Sequence, residues 1–281
     1  HVDTGMGFER MCQVLQDVPD NYSIDLWLPF FAKLSELSGK QYTGKLSRTN
    51  SPDPAAEAAD PQLRNDIAFR VIADHIRCLT FAIVDGAVPS NEGRGFVLRR
   101  ILRRAVRFGR QQLELREPFL HKLVGVVVDS MGEAFPELKK DPKHVTDLVL
   151  DEEVSFGRTL DRGIELFELS AVRAFSRAIK NAHPEYAVLS EMRSTNRRAD
   201  LLIMNRENGQ EWEFDAKTLS RESALHLVSS TVGISASDAF ALHDTFGFPI
   251  DLTEQMAIER GMTVDIAGYE RLMEEAREKA R

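Results

Sequence analysis

Glycine and arginine residues near the start of the chain have the spacing of a tight turn that leads into a helix. Gly5 and Gly7 flank one residue, and Glu9 and Arg10 follow just before an apolar run. Glycine permits a tight backbone, so the spacing predicts a sharp turn that leads Arg10 into a helix. The planar, permanently charged guanidinium group suits a phosphate or a carboxylate. A glycine turn before a helix, with Glu9 and Arg10 paired on the surface, would explain the same residues.

A second cluster is strongly basic, because seven arginines and no acidic residue lie between positions 94 and 110. On an ideal helix, with about 100° per residue, apolar side chains from Val97 to Val106 cover one half of the circumference. Six arginines form a contiguous arc on the other half. The seven arginines are Arg94, Arg99, Arg100, Arg103, Arg104, Arg107 and Arg110. Such close like charges repel unless they are neutralised, which favours a phosphate backbone as the partner.

Three other partners would also neutralise this helix. They are acidic residues inside the fold, an anionic membrane surface, and a protein that binds basic helices. A membrane is the weakest of these, because the rest of the molecule is acidic and anionic lipid would repel it. The net charge of −8 also argues against a uniformly basic nucleic-acid-binding protein. The basic helix therefore predicts a local nucleic-acid contact on an acidic molecule.

The turn that leads into the basic helix contains Ser90 and Asn91. An asparagine amide offers a donor and an acceptor on a short side chain. Such a group suits contact with a base edge, while the arginines position the nucleic-acid backbone. On this motif alone, a turn or helix-capping role for Ser90 or Asn91 is the stronger interpretation.

The composition is that of an ordinary globular protein of one or two domains. The chain has 281 residues, of which 43% are hydrophobic and 28% are charged. It has no apolar run near the length of a membrane span and no signal segment, so we expect a cytoplasmic location. It begins with His1 inside a motif, which suggests an excised fragment. Cys12 and Cys78 have no zinc-binding spacing, so we expect reduced, packed thiols and no bound metal.

The hydrophobic periodicity predicts a mainly α fold with a small antiparallel β insertion. A polar loop should cover 40–61, and Asn65 or Asp66 should cap the helix that follows it. The predicted helices cover 7–38 with an interruption at Pro29, and then 67–84, 96–110, 117–133, 141–180, 222–230, 253–260 and 266–281. One short turn is expected at 238–242. The predicted strands are 186–190, 199–205 and 211–215, with Asn208-Gly209 as the hairpin turn.

The predicted strands offer a further possible chemistry. Asp200 on one strand, with Asp215 and Lys217 at the end of the next, resembles the pattern of metal-dependent nucleases. Two carboxylates and a lysine could hold Mg²⁺ and activate water. The pattern is short and common, so charges that fall on a hairpin by chance are the favoured interpretation.

Four stretches resemble the alanyl-tRNA synthetase family in their residues and in their order along the chain. They are 3–10, 70–107, 152–163 and 239–253, and the resemblance spans nearly the whole chain. It implies the end of a class II catalytic domain at 1–15, which carries motif 3, and a helical tRNA-recognition region at 16–170 with the basic helix at 94–110. It further implies an insertion with a β-hairpin at 171–222, specific to a lineage, and a helical C-terminal part of the tRNA-recognition domain at 223–281.

The resemblance assigns roles to the candidate residues. Arg10, with Gly5 and Gly7, would contact the ATP phosphates, and the basic helix would contact the tRNA backbone. Asn91 and Asp244 would recognise a G·U wobble pair in the acceptor stem of tRNA-Ala. A wobble pair leaves the guanine amine unpaired in the wide, shallow minor groove of an A-form helix, where a carboxylate can accept from it. His243 departs from the tyrosine usual in the family.

The resemblance also implies the partners of the parent enzyme, which are ATP, Mg, alanine and tRNA-Ala, without DNA or a membrane. No segment resembles class II motifs 1 and 2 or an alanine pocket, so we expect the fragment to bind no cofactor and to be inactive alone. ATP–pyrophosphate exchange would refute that expectation. The rival interpretation is a helical protein-interaction module without a role in RNA binding.

Overall fold

The computed structural model describes residues 5–46, 60–90, 93–193, 198–215, 219, 224, 227, 228 and 231–280. At 190–193, 198–200, 215 and 280 the description is limited to the backbone. Helices dominate these residues, and a small antiparallel sheet accompanies them, so the predicted fold class is confirmed. The chain divides into two compact units, and the boundary falls between Gly157 and Arg158.

The first unit consists of helices around an aromatic and aliphatic core. Helices α1 to α5 cover Phe8–Gln16, Leu28–Ser38, Pro61–Val84, Gly93–Gln111 and Val124–Met131. Short 3-10 helices lie at Asp25–Trp27, Leu120–Leu123 and Pro136–Lys139. Helix α6 covers Pro142–Ala182, so the unit boundary falls within it. The buried side chains of the core include Trp27, Phe30, Phe69, Ile72, Ile76 and Leu102.

Helix α3 begins at Pro61 rather than at the predicted Ile67. Asp60 caps it, because its carboxylate accepts hydrogen bonds from the backbone N–H groups of Gln62 and Leu63. Proline is favoured in the first turn of a helix, where its missing N–H group would have no partner. The predicted loop at 40–61 therefore extends too far, and the helix begins six residues earlier than predicted.

Asp66 was a predicted helix cap, but it lies inside α3 and is buried. Its carboxylate accepts hydrogen bonds from the backbone N–H and the hydroxyl of Thr43, at 3.1 and 2.8 Å, and from the backbone N–H of Lys45, at 2.6 Å. A buried carboxylate needs such donors to offset the loss of hydration. Asp66 therefore anchors the irregular segment before α3 to the helix.

Three other boundaries in the first unit differ from the predictions. Pro29 lies in the first turn of α2 and does not interrupt it, because that turn tolerates proline. Helix α4 begins at Gly93 rather than Phe96. The helix predicted at 117–133 is shorter, because a 3-10 helix precedes α5.

Side chains that could form disulfides or bind metal are dispersed among the residues described. Cys12 and Cys78 are both free thiols, but Cys78 is exposed, so the expectation of a packed thiol is wrong there. Within the described ranges, no three His, Cys, Asp or Glu side chains are grouped to hold a metal ion. No helix in these ranges combines the length and the apolar character needed to cross a membrane.

The second unit contains the predicted sheet. Strands β1, β2 and β3 cover Tyr186–Arg193, Arg198–Asn205 and Glu211–Asp215, and they pair antiparallel in that order. The turn between β2 and β3 contains Gly209 with φ of 74°, a left-handed conformation that favours glycine. The hairpin predicted from Asn208-Gly209 is therefore confirmed.

The rest of the second unit is helical around a two-residue parallel pairing that was not predicted. Strand β4, Gly233–Ile234, pairs with β5, Thr263–Val264. Helices α7, α8 and α9 cover Ala236–Phe240, Ile250–Glu259 and Ile266–Ala280, and a π-helical turn, Ala241–Thr245, follows α7. The predicted turn at 238–242 is thus the junction of α7 and this π-helical turn. The helix predicted at 222–230 falls mostly outside the described residues.

Candidate nucleic-acid interface

The candidate ATP-binding residues lie at the start of α1. Gly5, Gly7 and Arg10 are all exposed. Gly7 has φ of −61° and Gly5 has no positive φ, so both lie in backbone that other residues also adopt. A side chain at Gly5 would meet no other atom within 4 Å. The predicted glycine-dependent sharp turn is therefore wrong, and ordinary extended backbone leads into the helix that carries Arg10.

A cluster around Arg77 of α3 holds α1 in place. The Arg77 Nη1 atom lies 2.6 Å from Glu9 Oε1, and Nη2 lies 3.3 Å from Asp74 Oδ1. The guanidinium carbon lies 4.5 Å from the centre of the Trp27 ring. Burial raises the pKa of Glu9, but a backbone hydrogen bond and Arg77 outweigh it and lower that pKa below its ordinary value. Glu9 therefore pairs with Arg77 rather than with Arg10.

Acid is expected to weaken this cluster. A hydrogen bond from His75 and the charge of Arg77 lower the pKa of Asp74, against the opposing effect of burial. A carboxylate with a lowered pKa stabilises the fold above its unfolded pKa and loses that contribution as the pH falls through its folded pKa. The difference in free energy of unfolding between the native chain and Asp74→Asn should therefore shrink as the pH falls below about 4, the ordinary pKa of an aspartate. Denaturant titrations would measure it, and a constant difference would contradict this assignment.

The arginines of α4 are less accessible than the sequence predicted. Arg94 and Arg100 are exposed, whereas Arg107 is only 2% exposed. Arg107 donates a hydrogen bond to Gln111 at 3.1 Å. The remaining four, Arg99, Arg103, Arg104 and Arg110, are partly buried. The prediction that six guanidinium groups form one open face is therefore wrong.

Glu152 of α6 forms ion pairs with two of these arginines. Its Oε1 atom lies 3.0 Å from Arg99 Nε and accepts a hydrogen bond from Arg103 Nε at 3.1 Å. The Glu152 side chain is 11% exposed, so salt screens these ion pairs less than it screens surface pairs. Arg103 also lies over the ring of Phe156, at 5.0 Å. Acidic residues inside the fold were one of the partners that the sequence allowed for the basic helix. Glu152 is such a partner for Arg99 and Arg103.

Asn91 lies outside the residues that the structure describes, but the turn before it is described as far as Ser90. Gly95, in the first turn of α4, packs directly against this turn. A Cβ atom at Gly95 would overlap the Ser90 hydroxyl and the Val88 carbonyl oxygen. Position 95 therefore requires glycine, because the backbone of the turn and the helix approach closely there.

Asp244 lies on the π-helical turn that follows α7. Asp244 and Thr245 are exposed, while Leu242 is 2% exposed and Phe248 is fully buried. In the described part of the chain, no hydrogen bond or ion pair joins another residue to the Asp244 carboxylate. π-Helical turns are rare and occur frequently at functional sites. The turn thus presents a carboxylate that is available to a ligand.

Backbone hydrogen bonds and close packing fix this turn. The His243 carbonyl accepts from the N–H of Gly247 at 3.0 Å, and the Leu242 carbonyl accepts from the N–H of Phe248 at 2.9 Å. A Cβ atom at Gly163 of α6 would overlap the Phe248 ring, so only glycine lets the ring pack there. The packing of buried neighbours therefore holds Asp244 in its position.

The alternative metal site rests on strands β2 and β3. The register places Asp200 opposite Asp215, so the two residues are on adjacent strands as predicted. The side chains of both residues, and the whole of Lys217, lie outside what the structure describes. The nuclease interpretation stays an untested alternative.

Comparison with known proteins supports the resemblance found in the sequence. The family described as tRNA synthetases class II (A) matches residues 1–183 and 203–281. The chain is 41% identical over 281 residues to the alanine–tRNA ligase of Chlorobium phaeobacteroides and 41% identical over 284 residues to that of Salinibacter ruber. It is 40% identical over 290 residues to that of Akkermansia muciniphila.

These three alignments cover 100% of this chain but 24%, 28% and 24% of the respective relatives. The chain thus spans about a quarter of the length of the curated relatives it matches. One part of the family match precedes β1 and the other follows it. The match therefore includes helices from both compact units. The chain therefore belongs to the class II tRNA synthetase family.

Proposed function

We propose that this chain is the part of an alanine–tRNA ligase that binds the acceptor stem of tRNA-Ala. The observation that carries the proposal is the similarity, at about 40% identity and over the whole chain, to proteins named alanine–tRNA ligase. The parent enzyme would use ATP and Mg to attach alanine to its tRNA. The chain would supply RNA recognition to that enzyme.

Asp244 and Asn91 would contact the wobble pair. The exposed Asp244 carboxylate would accept a hydrogen bond from the exocyclic amine of guanine, which the G·U pair leaves unpaired in the minor groove. Asn91 would bridge donor and acceptor sites on the two bases. A Watson–Crick pair would leave one of these groups without its partner, at a cost of about 1–3 kcal/mol.

Six of the seven arginines of α4 would divide into two sets. Arg94 and Arg100 are exposed and would contact the phosphates directly. The partly buried or buried side chains would contribute mainly to the positive potential near the backbone. That second set comprises Arg99, Arg103, Arg104 and Arg107. Base discrimination would then reside outside the basic helix.

Replacement of Arg100 by alanine should weaken binding to G·U and G·C acceptor stems by the same factor. A phosphate contact carries no base information, and its loss should reduce the slope of log affinity against log salt by about 1. Arg116→Ala is the matched control, because Arg116 is an exposed arginine of the same unit beyond α4. Fluorescence-anisotropy titrations with acceptor minihelices would measure both effects. A change confined to one stem would contradict the backbone role.

Motif 3 would act in the longer parent enzyme. The exposed Arg10, with Gly5 and Gly7 before it, would contact the phosphates of ATP. The pair between Glu9 and Arg77 would hold α1 in the orientation that this contact needs. An exposed guanidinium group on an anchored helix fits a phosphate ligand, and this fit supports the assignment.

The proposed organisation follows the sequence analysis. Residues 1–15 would end the catalytic domain, and 16–170 and 223–281 would form the tRNA-recognition domain. The family match omits 184–202, which contains β1 and the start of β2, and this supports an inserted segment within 171–222. A helical protein-interaction module is the rival function, and binding to a tRNA-Ala minihelix separates the two. Binding that weakens steeply with salt supports our proposal, and no binding contradicts it.

A further inference from the structure

We propose that Tyr269 and His243 form a positioning pair that holds Asp244 in the orientation needed for base recognition. The inference rests on the proposed function of Asp244 and extends it to two further residues. Neither side chain needs to touch RNA, because the pair would act through the conformation of the π-helical turn. Its loss should therefore change base discrimination while the fold persists.

The contact between the two residues is direct. The Tyr269 hydroxyl oxygen lies 2.8 Å from Nδ1 of His243, and the two rings meet edge to face with centres 5.7 Å apart. Tyr269 is 7% exposed, so water competes little for its hydroxyl group. A buried hydroxyl left without a partner is costly, and this favours the observed pairing over alternatives.

The Tyr269 hydroxyl stays protonated and able to donate, chiefly because burial raises its pKa. Burial raises the pKa of Tyr269, the positive charge of Arg277 opposes this, and the negative charges of Glu270 and Asp244 raise it further. Asp244 follows His243 directly in the chain, and His243 contacts Tyr269. The candidate recognition residue and its proposed support belong to one local cluster.

Tyr269 lies on a helix that packs closely against α7. Its neighbour Gly268 packs against α7, because a Cβ atom there would lie 2.6 Å from the Ala236 Cβ atom. Helix α9 therefore sits in close contact with the helix that leads into the π-helical turn. This contact fixes Tyr269 relative to the start of the turn.

The turn itself needs support, because a π-helical turn is less regular than the α-helix that precedes it. A change of register by one residue would rotate a side chain by about 100° around the helix axis. His243 precedes Asp244 directly, so fixing His243 fixes which direction Asp244 faces. The hydrogen bond to Tyr269 supplies that constraint from a second helix.

The test is the substitution Tyr269→Phe, which removes the hydroxyl and keeps the ring. Affinities for minihelices with G·U and G·C pairs would be measured by anisotropy. We expect the ratio of the two affinities to fall about fivefold, the value of one hydrogen bond. Tyr186→Phe removes a hydroxyl from β1 of the same unit and should leave the ratio unchanged. A lowered stability with an unchanged ratio would overturn the proposal, because that result indicates packing alone.

His243→Phe gives an independent check. It removes Nδ1 but keeps an aromatic ring beside Tyr269, and it should lower the ratio to a similar extent. The double variant should lose no more than either single variant, because both remove the same interaction. Additive losses would overturn the pairing.

Asp244→Ala separates this proposal from the proposed function. If Asp244→Ala loses discrimination and Tyr269→Phe keeps it, the positioning role is wrong and the proposed function stands. If Asp244→Ala keeps discrimination, both fail, since there is no recognition residue to position. Loss in both variants, with Tyr186→Phe unchanged, supports both.

Discussion

Replacement of Asp244 by alanine is expected to remove most of the preference for a G·U over a G·C acceptor stem, a loss of about 1–3 kcal/mol in relative affinity. The carboxylate is the group that would accept from the unpaired guanine amine, and alanine offers no acceptor. Because Asp244 is exposed, the free energy of unfolding should change by less than about 0.5 kcal/mol. Binding titrations with the two minihelices would measure the preference.

Two matched variants sharpen this experiment. Thr245→Ala alters the next exposed residue of the same π-helical turn and should preserve the preference. Asp244→Asn keeps a neutral acceptor of the same size and should retain part of it, because a hydrogen bond to a charged acceptor is stronger. An unchanged preference in Asp244→Ala would refute the assignment of this residue to base recognition.

Replacement of Glu153 by alanine should lower the free energy of unfolding more than any other substitution proposed for this chain. Glu153 lies on α6 beside Glu152 and is 3% exposed. Its carboxylate accepts hydrogen bonds from the backbone N–H groups of Phe119, Leu120 and His121, at 2.7–3.4 Å, where a 3-10 helix begins. Alanine would leave these groups without partners at about 1–3 kcal/mol each, so we expect a total loss of about 3 kcal/mol or more. Denaturant unfolding followed by circular dichroism would measure it.

The control for Glu153 lies on the same helix. Asp147 pairs with Lys143 on the surface, and Asp147→Ala should cost less than about 0.5 kcal/mol, because exposed ion pairs contribute little. Glu153→Gln retains one acceptor oxygen. Its loss of unfolding free energy should fall between the losses for Glu153→Ala and Asp147→Ala. If Glu153→Ala were no more harmful than Asp147→Ala, the buried carboxylate would not organise this part of the first unit.

Local signals in the sequence predicted several elements well. The helix predicted at 141–180 is α6, Pro142–Ala182, because a long run of helical periodicity needs no distant information. The hairpin at Asn208-Gly209 followed from turn chemistry, since Gly209 adopts the left-handed conformation that such turns require. The start of α3 was missed because Pro61 was assigned to the loop, although proline is also favoured at helix starts.

Features that depend on distant residues could not be predicted. A helical projection separates two faces of α4, but it does not show that Glu152, 49 residues from Arg103, packs against the arginine face. The same limit applies to His243, whose partner Tyr269 is 26 residues away on another helix. Glu152 and Glu153 gave no usable signal, because carboxylates on a helix are usually solvated and only the packing of the fold largely buries these two.

The most direct test of our account is a titration of the native 281-residue chain with two tRNA-Ala acceptor minihelices that differ only at the wobble pair. We predict that the G·U minihelix binds more tightly than the G·C minihelix, by about 1–3 kcal/mol, and that both affinities fall steeply with salt. Equal affinity for the two minihelices, or binding that is independent of salt, would contradict the account.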